Sequence, residues 1–127
     1  MTNRNNRQDG ITDYLELHLE NAESISIPIH GTKYLKGYGN YVKVVGEART
    51  TLVRLTMNRL EQSLPGDQFI RIHKSYIVNK GYISDCTADY VFMDAVRLPI
   101  GKTYKQFVRR ILAGVGTVPS EQLANSH

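Results

Sequence analysis

Apolar residues fall at every second position in several short runs of this chain, and turn-forming residues cut each run short. A two-residue period belongs to strands with one buried face. Tyr14 to Glu20 (YLELHLE) alternates in this way, and Ser24 to Ile29 (SISIPI) repeats the pattern after a turn at Asn21-Ala22-Glu23. Pro28 has no N–H to give a ladder, which marks an edge strand or a strand end. Lys33 to Lys36 and Tyr41 to Val45 read as two strands around the loop Gly37-Tyr38-Gly39-Asn40, whose glycines permit a tight turn. Thr50 to Val53 adds a short strand, Tyr82 to Cys86 and Tyr90 to Met93 a hairpin, and Arg97 to Ile100 one more strand. Only two segments take the helical period. Met57, Leu60 and Leu64 form a stripe behind Thr56, a suitable N-cap, and Pro65-Gly66-Asp67 stops that helix. Lys102 to Leu112 is the second, with Tyr104, Phe107, Val108, Ile111 and Leu112 expected on its inner face. Many short strands with two short helices predict a mainly β domain.

At 127 residues the chain is of single-domain size. Residues 13–112 are expected to form that domain, with 1–12 and 113–127 as flexible tails, since both ends are polar and lack periodicity. No apolar run approaches the length of a membrane span. A lone cysteine, Cys86, excludes an internal disulfide framework and fits a reducing compartment, which points to the cytoplasm. The net charge of +4 is unevenly spread: residues 1–29 carry −3, residues 30–112 carry +8 and residues 113–127 carry −1. A basic body with neutral to acidic ends attracts polyanions.

Three segments hold the candidate chemistry. The first is Phe69-Ile70-Arg71-Ile72-His73-Lys74-Ser75-Tyr76-Ile77-Val78-Asn79. Read as a half-buried strand and its turn, it sets Arg71, His73, Lys74 and Ser75 on an open side, where cations and hydroxyls meet phosphate and a long cationic side chain reaches guanine edges. In isolation the same residues also describe an exposed strand face with a capping serine. The second is Gly101-Lys102-Thr103 at the start of the second helix, where free N–H groups favour an anion. Lys102 there opposes the helix dipole, a penalty that an external polyanion offsets, although on its own it equally describes a solvated first-turn lysine. Lys105, Arg109 and Arg110 add diffuse positive charge, and the two arginines also suit a helix C-terminus. The third is Gly39-Asn40, most simply a turn, although asparagine makes bidentate contacts to adenine.

Catalytic readings are poorer. His18 and His30 lack metal-ligand spacing, Cys86 has no histidine near it in sequence, and no phosphate-binding glycine loop or paired acids occur. No enzyme activity, cofactor or metal is expected.

Four ordered blocks resemble the LytTR DNA-binding domain of bacterial response regulators. They are Tyr34-Leu35-Lys36-Gly37-Tyr38-Gly39-Asn40-Tyr41-Val42-Lys43-Val44, Leu55 to Pro65 (LTMNRLEQSLP), Phe69 to Asn79, and Leu98-Pro99-Ile100-Gly101-Lys102-Thr103-Tyr104. The resemblance covers residues 14–112 and is strongest in the Phe-x-Arg-x-His-x-Ser-Tyr-x-Val-Asn block. It implies three small antiparallel sheets with short helices, and loops that insert side chains into successive major grooves without a recognition helix. It also implies base contacts at Asn40, Lys74 and Lys102, with backbone contacts around Arg71, His73, Ser75 and Thr103. Lys105 joins the backbone set on its charge. Double-stranded DNA with paired repeat sites, one copy of the chain on each, is the partner so implied, with a homodimer forming on DNA. Many members carry Ser-Arg-Ser or Ser-Arg-Arg where this chain has Gly101-Lys102-Thr103, and lysine lacks the rigid fork with which arginine reads guanine. The receiver domain that usually accompanies such a domain, and answers to a sensor kinase, does not occur in these residues. The rivals are a protein-interaction β module, favoured if Tyr38, Tyr41 and Tyr90 share an exposed patch, and a single-strand or RNA-binding β domain.

Overall fold

The computed structural model describes residues 14–19 and 22–113. Ten strands form three antiparallel sheets. The strands are β1 (Tyr14–His18), β2 (Ser24–Pro28), β3 (Thr32–Tyr38), β4 (Tyr41–Gly46), β5 (Thr50–Val53), β6 (Phe69–His73), β7 (Tyr76–Asn79), β8 (Asp85–Cys86), β9 (Tyr90–Met93) and β10 (Val96–Pro99). The central sheet has the order β5-β4-β3-β7-β6; β10-β9-β8 and β1-β2 make the other two. Helices α1 (Met57–Ser63) and α2 (Lys105–Ala113) complete the set. Three small antiparallel sheets with two helices is the architecture expected. The expected tails fall outside the described residues, except that Ala113 closes α2.

Alternation along the central strands sends their side chains to two separate cores. Leu35, Val42, Val44, Val53 and Ile77 meet Leu17 and Ile27 of the β1–β2 hairpin, Leu60 of α1 and Leu64 just after it. On the opposite face Ile70, Ile72 and Val78 meet Val91, Met93 and Leu98 of the three-stranded sheet and Val108 and Leu112 of α2. Each fully buried aliphatic side chain contributes about 1.5–3 kcal/mol. This second core covers β6, β7 and the start of β3, where Tyr34 packs against it. It leaves β4, β5 and the end of β3 uncovered on that face.

Buried polar side chains fasten the layers. Asn79 is fully buried and donates from Nδ2 to the carbonyls of Thr32 (2.8 Å) and Ile29 (3.3 Å), while its Oδ1 accepts the Gly81 N–H (2.9 Å). That last bond caps a 3-10 turn over Lys80–Tyr82. The turn takes Tyr82, the first residue of the expected strand, and β8 is only Asp85–Cys86. Thr56 caps α1 as expected, its hydroxyl accepting the Arg59 N–H at 3.1 Å.

Three further expectations change. Lys102–Tyr104 is a 3-10 turn that precedes α2, because Gly101 supplies no side-chain cap. Phe107 lies 40% exposed, since Val108 and Leu112 define the inner line and Phe107 falls about 100° to one side of Val108. Strand β6 is not half-open. Residues 69–72 are all buried, because one face meets the second core and the other lies under α1.

Candidate nucleic-acid interface

Register brings the three segments to one end of the central sheet. The β3–β4 hairpin closes on the pair Tyr38↔Tyr41, with Gly39 and Asn40 between them. Gly39 has φ +56°, a conformation open to glycine at little cost, and Asn40 is exposed at the tip. Strand β7 pairs antiparallel with β3 at Lys36↔Tyr76, so the β6–β7 turn of Lys74 and Ser75 emerges beside that tip. The Gly37 N–H donates to the Ser75 carbonyl at 2.9 Å and ties the two turns together. The Gly101 N–H donates to the Ile72 carbonyl at 2.8 Å, which fastens the third segment to the end of β6. A Cβ at Gly101 would stand 3.0 Å from Tyr104 Cδ1 and 3.4 Å from His73 Cα, so a larger residue here needs its neighbours to give by a few tenths of an ångström. His73, Lys74, Gly101, Lys102, Thr103 and Tyr104 then line one open cleft. Asn40, Lys74, Lys102 and Thr103 are exposed, and Ser75 is half-buried.

Internal bonds shape the middle tip. Arg71, expected on an open face, is only 8% exposed, and its guanidinium is spent within the protein. Nε donates to the His73 carbonyl (2.9 Å) and Nη2 to the Lys74 carbonyl (2.6 Å). Nη1 meets Asn58 Oδ1 (3.1 Å) and Glu61 Oε1 (2.6 Å) of α1. Burial follows from α1 lying over that face of β6, and it makes Arg71 a brace for the turn. His73 Nδ1 accepts the Ser75 N–H at 3.0 Å, which leaves Nε2 as the N–H donor of a neutral ring. Burial, then the charges of Lys74 and Arg71, hold the imidazole below its ordinary pKa of 6.5. Lys105 ion-pairs with Asp89 at 2.6 Å, both side chains exposed.

Cys86, the candidate nucleophile, lies in a different sheet. Cys86 is buried, and burial with the neighbouring Asp85 pushes its thiol to about 11, far from a reactive thiolate. Tyr90 lies in β9 under the Arg97 guanidinium, 4.4 Å from its ring centroid, in a different sheet from Tyr38 and Tyr41.

A family model described as the LytTr DNA-binding domain matches residues 22–113. The chain belongs to the LytTr DNA-binding domain family. It is 30% identical over 63 residues to the sensory transduction protein LytT of Bacillus subtilis (strain 168), covering 45% of this chain and 26% of that protein. The chain therefore corresponds to about a quarter of that relative's length. A solved LytTr DNA-binding domain of a response regulator from Bacillus cereus superposes with a TM-score of 0.66 at 28% identity, over 78% of this chain and 95% of that one.

This LytTr domain carries more at its tip end than sequence reasoning found. Arg54 follows β5 and stands over the Tyr41 ring at 5.7 Å, where it lines a cleft with Gly39 and Asn40. Only the pairing Val42↔Val53 places it there, and nothing local in the sequence marks it. Asn58 and Glu61, the α1 partners of Arg71, are equally unmarked. Lys36 and Lys43 do have a signal. Counting outward from Gly39-Asn40 in hairpin register puts them directly opposite each other.

Proposed function

We propose that this LytTr domain binds double-stranded DNA sequence-specifically and serves as the DNA-binding output of a transcription regulator in the cytoplasm. The observation that carries the reading is the gathering of three exposed polar tips at one end of one sheet. The centres of the β3–β4 and β6–β7 hairpins lie two strand spacings apart, about 10 Å, comparable with a major groove about 12 Å wide. Asn40, Lys74 and Lys102 have the reach and hydrogen-bonding capacity for base edges. His73 Nε2–H, the Ser75 and Thr103 hydroxyls and Lys105 suit phosphate oxygens; Lys105 must first leave Asp89. Arg71 acts through the turn it braces. That the B. subtilis relative is a sensory transduction protein supports placing the domain downstream of a signal, in a two-component system with receiver and kinase on other segments or chains. Paired repeat sites, with one copy of the domain on each, complete the proposal.

Electrophoretic titration of duplexes selected from a random pool tests it. Binding should fall steeply with salt. Lys74→Ala and Lys102→Ala should each weaken binding to the selected site by about 1–3 kcal/mol and relax preference at one position. Equal affinity of these variants for selected and scrambled duplexes, unchanged from the parent chain, would refute the base-reading assignment. Stronger binding to single-stranded oligonucleotides would refute the duplex.

A further inference from the structure

Lys36 and Lys43 face each other across β3 and β4, on the face of this half of the central sheet that neither core covers. Like charges directly opposite in a sheet destabilise it. Among the described residues no carboxylate relieves this pair, since the ion pairs there are Arg71–Glu61 and Lys105–Asp89. Both ammoniums are instead drawn in over aromatic rings. Lys36 Nζ lies 4.8 Å from the Tyr38 centroid and 5.6 Å from that of Tyr76, and Lys43 Nζ lies 5.1 Å from that of Tyr38. Two cations thus converge on one exposed phenol ring. Beside them the face stays open: Leu52, the cross-strand partner of Lys43, is 61% exposed.

Position along the hairpin says what this cluster meets. From the closing pair Tyr38↔Tyr41, the pair Lys36↔Lys43 is two residues back, or about 7 Å at the rise of a strand. Adding the turn itself brings the separation from the tip close to the depth of a major groove, about 8.5 Å. A tip whose Asn40 touches the groove floor therefore carries the two lysines at the rim, where the phosphates run.

We propose that Lys36, Lys43 and the Tyr38 hydroxyl form a second phosphate-binding site on the open face of the central sheet, gripping the DNA backbone along the rim of the groove that Asn40 enters. This rests on the duplex-binding reading above. The two ammoniums also lower the pKa of the Tyr38 hydroxyl, Lys43 foremost, which makes it a stronger hydrogen-bond donor to an anion. The site is blind to sequence, because it touches only the backbone.

The test compares the parent chain with Lys36→Gln, Lys43→Gln and the double variant, on duplexes of selected and scrambled sequence, across a salt series. Each neutralised contact should lower the slope of log affinity against log salt by about 0.9, so the double variant should lose nearly two. Its affinity should fall by a similar factor, about tenfold, on both duplexes, leaving the preference between them intact. Lys36→Arg with Lys43→Arg should restore the slope. Thermal melting monitors folding, and the single variants give the answer should the double variant melt early. If the parent chain binds with a steep slope and the glutamine variants match it, the open face is not a phosphate site. A loss confined to the selected duplex would also overturn the proposal. If the parent chain shows no salt-dependent binding to either duplex, the DNA-binding reading itself fails, and this one with it.

Discussion

The β6–β7 turn and the β3–β4 turn lie side by side yet are built on opposite principles. The first is held from within. Two carbonyls of the His73–Lys74 segment accept from Arg71, the Ser75 N–H donates to His73, and the Ser75 carbonyl accepts from Gly37. The second has, among the described residues, no side chain bonded to its backbone: its ladder, the Gly37 bond to Ser75, cations over the rings of Tyr38 and Tyr41, and the positive φ of Gly39 define it. A turn whose backbone groups are satisfied internally presents its side chains in one fixed orientation. A turn held only at its base leaves its tip free to adjust. Placed together, they pair a braced turn with a more loosely held one, and α1 anchors the brace through Asn58 and Glu61.

The largest expected effect comes from removing that brace. Arg71→Ala leaves two carbonyls and Asn58 without their donor, and should destabilise the domain by about 2–3 kcal/mol in chemical denaturation. The loss stays below that of a fully buried pair because Glu61 is half exposed and remains solvated. Affinity for the selected duplex should drop further than stability alone accounts for, because the Lys74 turn loses its shape. An Arg71→Ala domain of parental stability would break the contrast between the two turns. Gly39→Ala tests the other side. Its Cβ would meet nothing within 4 Å, so the strain of the left-handed backbone is the whole effect, about 1 kcal/mol by melting. A larger loss would show the second turn to be less adaptable than its bonding suggests.

The smallest effect is a pH dependence that sharpens the role of His73. Its folded pKa lies below the unfolded value, so between the two the unfolded chain binds more protons. The stability that the neutral ring contributes is fully present above pH 6.5 and is lost as pH falls through the lowered folded value. Asparagine offers an acceptor where Nδ1 sits but does not titrate, so His73→Asn should be less steep than the parent chain on the acid side. Parallel curves for the two proteins would mean that the Ser75 N–H does not depend on a neutral His73.

Much of this molecule is readable in one dimension. The two-residue period of YLELHLE and SISIPI marks β1 and β2, Gly39-Asn40 marks the hairpin, and Thr56 with Pro65 brackets α1. These signals are local: backbone φ preferences, capping and alternation act between near neighbours. The motif blocks likewise single out Asn40, Lys74 and Lys102, which the structure shows exposed. Long-range pairing decides the rest. Whether Arg71 faces solvent or α1 depends on a helix contributed by another segment, and alternation cannot say which of its two phases is covered twice. The stations of Arg54 and of the Lys36–Lys43 pair on an open half-sheet depend on where the second core stops. That boundary is set by how much apolar surface β8–β10 and α2 can cover, a property of volumes packed together rather than of any residue's neighbours in the chain.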